Sequence, residues 1–252
     1  MKVDAFRLKQ SVPEGVALYG HDIRFAQQRV GLLSDATYPI ERHFDFCSEH
    51  DFEIYYGASN RERVRYSEKE RTLMYTPMNA GMHEIRQLVA FAIDRMPGPL
   101  SAVHASGIIK DSKGVLLIGR SGSGKSTIAS RLNPNDILDD DLLLIDAEEA
   151  CVVGHCGAIT RPDRSLHYQR NGRTHHAIHI VFLLEKTAEG GVVEEMRSIP
   201  RTWSVIDALS PIITKEYLAS EPIRIAAPIH RLGTRNNLPK TLDIVLNLIE
   251  KA

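Results

Sequence analysis

The residues Gly119-Arg120-Ser121-Gly122-Ser123-Gly124-Lys125-Ser126-Thr127 fit the spacing G-x-x-x-x-G-K-[ST], with an apolar run at 114–118 before them. Each residue type answers a physical need. The glycines let the backbone bend so that successive N–H groups turn inward toward phosphate oxygens, and a helix opening at the end of the loop adds its positive dipole end. Lys125 brings a mobile positive charge to the terminal phosphates, and the Ser126 hydroxyl is sized to join a Mg²⁺ shell. The pattern predicts ATP and Mg²⁺ as cofactors, held by Gly119, Ser121, Gly122, Ser123, Gly124, Lys125, Ser126 and Thr127.

Three adjacent acids, Asp139, Asp140 and Asp141, follow about fifteen residues later, behind the apolar pair Ile137-Leu138. Neighbouring carboxylates repel, and a nearby cation or a catalytic role relieves that repulsion. One acid holding Mg²⁺ and another receiving the proton of an attacking hydroxyl make the smallest set for phosphoryl transfer. A solvated acidic turn between two strands is the plainer alternative. Asp146, Glu148 and Glu149 read as surface.

Two further groups carry candidate chemistry. His104, in Ala102-Val103-His104-Ala105-Ser106-Gly107, sits just before an expected strand, and periodicity alone makes it a structural histidine. Residues 161–176 gather Arg161, Arg164, Arg170 and Arg173 with His167, His175 and His176. They read either as a solvated loop or as a mobile cover whose arginines neutralise a transferred phosphate. The histidines at 175, 176 and 179 are set aside as metal ligands because adjacent strand positions point to opposite faces. Cys151 and Cys156, with His155 between them, lack a second pair to complete four ligands and read as ordinary half-buried residues.

The elements that must position these groups follow from pattern. Over 1–99 short apolar or alternating runs at 16–19, 52–56, 64–66 and 72–75 predict a small β-rich region. It ends in an amphipathic helix spanning Met82 to Met96, stopped by Pro97-Gly98-Pro99. From 100 to 252 the grammar is α/β. Strands are expected at 106–110 and 114–118 with a turn at 111–114, and a helix from Gly124 to Asn133-Pro134. The apolar runs 137–138 and 142–145 flank the acids. Later strands are expected at 177–184 and 223–227, and helices at 202–209 and 238–251.

Composition excludes several classes. With 31 Lys and Arg against 32 Asp and Glu the chain is too nearly neutral to be built around the phosphates of a duplex. No apolar run approaches the roughly 20 residues of a membrane span. Three cysteines cannot all pair, and the start carries an acid early without an apolar block, so a cytoplasmic protein with reduced thiols is expected. Assembly into a homo-oligomer is left open.

His104-Ala105-Ser106-Gly107, the strand 114–119, the glycine-rich loop and Leu138-Asp139-Asp140-Asp141 together resemble the nucleotide-binding core of the HPr serine kinase and PEP carboxykinase-like group, over about 100–184. The resemblance implies a P-loop kinase core behind a smaller β-rich N-terminal region. It assigns His104 to the site, Asp140 to the role of catalytic base and Asp141 to the metal. Thr127 stands where HPr-directed members usually carry Glu, and Ala105 where they carry Gly, so the chain looks like a divergent member. The implied reaction moves the γ-phosphoryl group of ATP to a serine of a peptide or small protein, with Arg164 and Arg173 over the phosphate. A small-molecule hydroxyl kinase is the runner-up. A regulatory ATPase would instead use the run 181–184 and Glu185 to activate water.

Overall fold

The structure is a computed structural model and describes residues 19–25, 28–34, 45–46, 51–56, 64–67, 72–75, 82–96, 98–120, 122–133, 137–140, 142–155, 158–160, 166–168, 173–187, 191, 193–204, 221–234 and 238–252. The chain divides into two units, Met1–Gly98 and Pro99–Ala252. It is a mixed α/β protein dominated by sheet, with few helices.

In the first unit the described residues form a six-stranded sheet in the order β3-β1-β2-β4-β6-β5. The strands are β1 (Tyr19–Phe25), β2 (Gln28–Ser34), β3 (Asp45–Phe46), β4 (Phe52–Tyr56), β5 (Val64–Ser67) and β6 (Thr72–Tyr75). The runs expected at 52–56, 64–66 and 72–75 are strands, whereas 16–18 lie outside the described residues. The hairpin of β1 and β2 was not expected. Its charged and glycine positions, such as Asp22 opposite Gly31 and Arg24 opposite Arg29, blur the alternation that marks a strand. Helix α1 (Met82–Asp94) packs against β2 and β4, and Val30, Leu32, Phe52 and Ile54 are buried with Ile85, Leu88 and Val89.

The second unit is built on β7 (Leu100–Lys110), β8 (Lys113–Ile118), β9 (Ile137–Asp139), β10 (Leu142–Asp146), β11 (Cys151–His155), β14 (Arg173–Lys186), β15 (Val193–Met196) and β16 (Ile229–Thr234). Their order is β11-β10-β7-β8-β14-β16-β15, with β9 paired to β7. Strand β14 is long enough to serve twice. Its C-terminal half lies parallel between β8 and β16, while its N-terminal half pairs with β11 and closes the sheet upon itself. One face then encloses Val103, Ala105, Leu116, Ile118, Leu143, Ile145, Val181 and Leu183. The other carries Ile108, Val115, Leu117, Phe182 and Leu184 beneath α2 (Lys125–Leu132) and, after the short α3 (Arg201–Ser204), beneath α4 (Leu238–Lys251). Two further strands, β12 (Ala158–Thr160) and β13 (Leu166–Tyr168), pair with each other. Among the described residues no helix is long and apolar enough to cross a membrane.

Long-range strand pairing moves several elements from where local pattern places them. His104 lies within β7, opposite Leu142, because residues 100–104 find a partner in β10. The strand expected at 177–184 starts at Arg173, because β11 supplies a partner that no local pattern announces. Residues 223–227 make one isolated bridge, Ile199 with Ile223, and the strand is instead β16. Ile223 and Ile225 do alternate inward, but burial is all that alternation reports. Pro228 then offers its carbonyl to the Val181 N–H at 2.9 Å and leads into β16. Of the helix expected at 202–209, α3 covers its first turn and 205–209 lie outside the described residues.

Candidate functional site

Strand β8 ends at Ile118, and the chain turns through the glycine-rich loop into α2. Gly119 is required by close approach: a Cβ there would lie 2.5 Å from Ser123 Oγ and 2.6 Å from the Leu184 carbonyl. Gly124, at φ 100°, caps α2 in the left-handed region, where a side chain is strained. The Ser123 N–H donates to the Arg120 carbonyl at 3.0 Å and closes the turn. Thr234, at the end of β16, ties the loop to the sheet, its hydroxyl reaching the Ser123 carbonyl at 3.2 Å and the Glu185 carbonyl at 3.1 Å.

Lys125 is buried and donates to the carbonyls of Gly119, at 2.7 Å, and Arg120, at 3.4 Å. The Ser123 hydroxyl is buried with no hydrogen-bond partner among the described residues. Ser126 is half-buried and Thr127 exposed in the first turn of α2, and Ser121 lies outside the described residues. The first N–H groups of a helix have no partner within it, so this end of α2 is suited to an anion.

The acids stand one strand beyond β7. Strand β7 pairs with β9 at Gly107 and Asp139, and with β10 at His104 and Leu142. Residue 140 therefore falls opposite 106, where the ladder is interrupted. On its other side β7 pairs with β8, Ser106 opposite Leu117 and Ala105 opposite Ile118. The Asp140, Ser106 and Leu117 backbones thus lie side by side at strand spacings of about 4.8 Å. His104 falls level with Gly119 in the same way. Opposite residues of a sheet share a face, so Ser106 and, two residues along, His104 lie on the Leu117 side, under α2.

Asp139 and Asp140 are not part of a solvated turn. Asp139 is fully buried, and its Oδ1 accepts the Leu142 N–H at 3.1 Å, bracing the interruption. Asp140 is buried too, and its Oδ1 accepts the hydroxyl of the fully buried Ser106. Asp140 Oδ2 is buried with no partner among the described residues. Asp141 lies outside them, as do Arg161, Arg164 and Arg170; of Arg173 only the backbone, at the start of β14, is described. The topology therefore brings His104, Asp140 and the loop onto three adjacent strand positions. Sequence reasoning missed Ser106 and Thr234. Ser106 was signalled by its place two residues beyond His104 on one strand; Thr234 had no local signal.

Glu185, at the end of β14, is engaged elsewhere. It accepts from Arg231 through Nε at 2.9 Å and through Nη2, and Arg231 also donates to Glu194 at 3.2 Å. The hydrogen bonds and charge of Glu185 raise the Arg231 guanidinium above its ordinary value.

No family model matches the chain, and no curated protein does. Among solved structures, the Hpr(Ser) kinase/phosphatase from Coxiella burnetii is similar at 17% identity and a TM-score of 0.36, over 60% of this chain and 99% of that one. That is a distant likeness, and no chemistry follows from it.

Proposed function

We propose that this chain is an ATP- and Mg²⁺-dependent kinase of the P-loop type that transfers the γ-phosphoryl group to a hydroxyl, and that the acceptor is a serine of a peptide or small protein. The observation that carries the reading is Asp140: a buried carboxylate with one oxygen fixed by Ser106 and the other unpartnered among the described residues, two strand spacings from the strand that feeds the glycine-rich loop.

An unpartnered buried carboxylate oxygen is costly and is relieved by a proton or a cation. Both belong to phosphoryl transfer. In this reading the acceptor hydroxyl gives its proton to Asp140 Oδ2 as its oxygen bonds the γ-phosphorus, and the bond to the bridging oxygen of ADP breaks. Lys125 exchanges the Gly119 and Arg120 carbonyls for phosphate oxygens. The Ser123 hydroxyl, unpartnered among the described residues, gains a phosphate partner, and the N–H groups at the start of α2 face the phosphates. His104 borders the loop from β7. Ser126 and Asp141 would hold Mg²⁺, which when bound spreads the charge of the phosphates. Arg164 and Arg173 cover the transferred group.

A peptide acceptor is preferred over a compact metabolite on composition. Seven Arg and His residues within 161–176 suit an extended chain better than a closed pocket with a few fixed polar groups. The ATPase reading is disfavoured because Arg231 already occupies Glu185. The test incubates the protein with labelled ATP and Mg²⁺, offering serine peptides and, separately, polyols and amino acids. Label on peptides is expected. Label on free small molecules alone would favour a small-molecule kinase, and hydrolysis without any transfer would overturn the kinase reading. Lys125→Ala should weaken nucleotide binding at least severalfold by calorimetry.

A further inference from the structure

A second cluster of chemistry-bearing groups stands at the far end of β10 from the acids. Leu142 pairs beside His104, while Asp146 lies four residues on, ~13 Å along the strand. There β10 turns into β11. Asp146 Oδ1 accepts the N–H groups of Glu148 and Glu149, both at 3.0 Å, and Ala150 adopts a left-handed φ of 49°. The Ala150 carbonyl then accepts the Ile178 N–H at 2.7 Å, and Cys151 pairs opposite Ala177. These bonds fix Glu149 and Cys151 against β14, where His175 projects from the strand two residues before Ala177.

Glu149 Oε2 is 3.3 Å from His175 Nε2 and 3.9 Å from Cys151 Sγ, and the three donor atoms all lie within 4.8 Å of one another. For a tetrahedral zinc ion with bonds of about 2.0–2.3 Å, neighbouring ligand atoms are about 3.3–3.7 Å apart. Among the described residues this is the one group of three such side chains whose donor atoms all lie within 4.8 Å of one another, close enough for small side-chain shifts to bring them to that spacing.

We propose that Glu149, Cys151 and His175 bind a divalent transition-metal ion of the zinc type. The donor set argues for the class of ion. A thiolate and an imidazole select zinc-like ions over Mg²⁺ and Ca²⁺, which take oxygen ligands. Thiolate and carboxylate together supply two negative charges, matching a divalent cation. Cys151 is buried, whereas Glu149 and His175 are exposed, so the ion would rest on the protein through sulfur and keep its fourth position toward solvent. The site is separate from the proposed Mg²⁺ site in place and ligand type, and it joins the β10–β11 turn to β14. Sequence spacing alone hid it, because Cys151 and His175 are brought together by the closure of the sheet.

The test uses the full chain freed of metal by chelation and dialysis, titrated with Co²⁺ while its thiolate-to-cobalt charge-transfer absorption is followed. One equivalent should produce the band, and Zn²⁺ should bleach it. The band should persist in Cys47→Ser/Cys156→Ser, where Cys151 is the remaining thiol, and vanish in Cys151→Ser. Competition with Zn²⁺ should show affinity lowered tenfold or more in Glu149→Gln and in His175→Ala, whose exposed side chains can be replaced without disturbing a core. No band in the wild type, a band that survives Cys151→Ser, or unchanged affinity in both exposed variants would overturn the proposal. None of these readouts depends on phosphoryl transfer, so the two readings stand or fall apart.

Discussion

Ser106 on β7 and Asp140, in the interruption between β9 and β10, face each other across the sheet, the Ser106 hydroxyl donating to Asp140 Oδ1. Both are buried, so the bond orients the carboxylate in an environment where few other donors compete. It leaves Oδ2 unpartnered among the described residues, two strand spacings from β8, the strand that feeds the glycine-rich loop. A serine and an aspartate at opposed positions thereby become one unit.

Ser106→Ala should lower phosphoryl transfer about tenfold while leaving nucleotide affinity unchanged, because Asp140 loses a bond that aims it rather than its carboxylate. Leaving that buried oxygen short of a partner should also cost about 1–3 kcal/mol of stability. Turnover, nucleotide calorimetry and denaturant unfolding on the same preparation separate the two effects. In the Asp140→Asn background the serine change should alter turnover little further, since residues acting as a unit are not additive. Independent, multiplying effects on turnover would break the pairing.

Asp140→Asn should reduce transfer by about 10²–10⁴-fold, the range of a general base, with ATP binding largely intact. Glu185→Gln should do little to turnover, because its hydrogen bonds go to Arg231. Its expected effect is a small loss of stability, as befits a part-exposed pair. Steady-state rates for the two variants decide between kinase and ATPase chemistry. Loss of turnover in Glu185→Gln with retention in Asp140→Asn would reverse the assignment.

Gly119→Ala places a methyl group against the Leu184 carbonyl and the Ser123 hydroxyl. The carbonyl belongs to β14 and cannot swing aside, so the loop must shift. Nucleotide affinity should fall tenfold or more, and the melting temperature should drop. Thr234→Val is the milder probe of the same loop. It keeps the side-chain shape but removes the hydroxyl shared by the Ser123 and Glu185 carbonyls, for a loss of about 0.5–1.5 kcal/mol and a raised KM for ATP.

What could be read from the sequence was local. The strand before the glycine-rich loop, the helix from Lys125 to Leu132 and the closing helix over 238–251 are each read from a short window, the first two from an apolar run, a glycine-rich turn and a proline just beyond the helix end. The placement of Asp140 beside β7 was not legible, because it depends on β9 and β10 pairing in succession with the same strand. The start of β14 at Arg173 was hidden for the same reason: its partner is β11, and long-range pairing leaves no trace in local periodicity. Residues 223–227 alternate like a strand because Ile223 and Ile225 are buried, yet they find only one backbone partner. By its spacing Cys151 reads as an ordinary half-buried residue. The sheet buries it and sets it beside His175, across β11 and β14.

The segment 161–176 supplies the last prediction. Arg164 and Arg173 are nine residues apart in the sequence, with β13 between them. If they cover the transferred phosphate and an extended acceptor together, their charge acts when the γ-phosphoryl group leaves ADP, rather than when ATP binds. Neutralising both, as Arg164→Gln/Arg173→Gln, should then lower kcat/KM for a peptide acceptor by about tenfold or more, in the range seen when a preorganised donor to the transition state is removed. The affinity for ATP measured without acceptor should stay within about twofold, because Lys125 and the N–H groups of the loop supply it. Rates with a serine peptide, set beside ATP calorimetry on the same variant, show which term moves. Equal losses in ATP affinity and in transfer would place the two arginines on the nucleotide and remove the composition argument for a peptide acceptor.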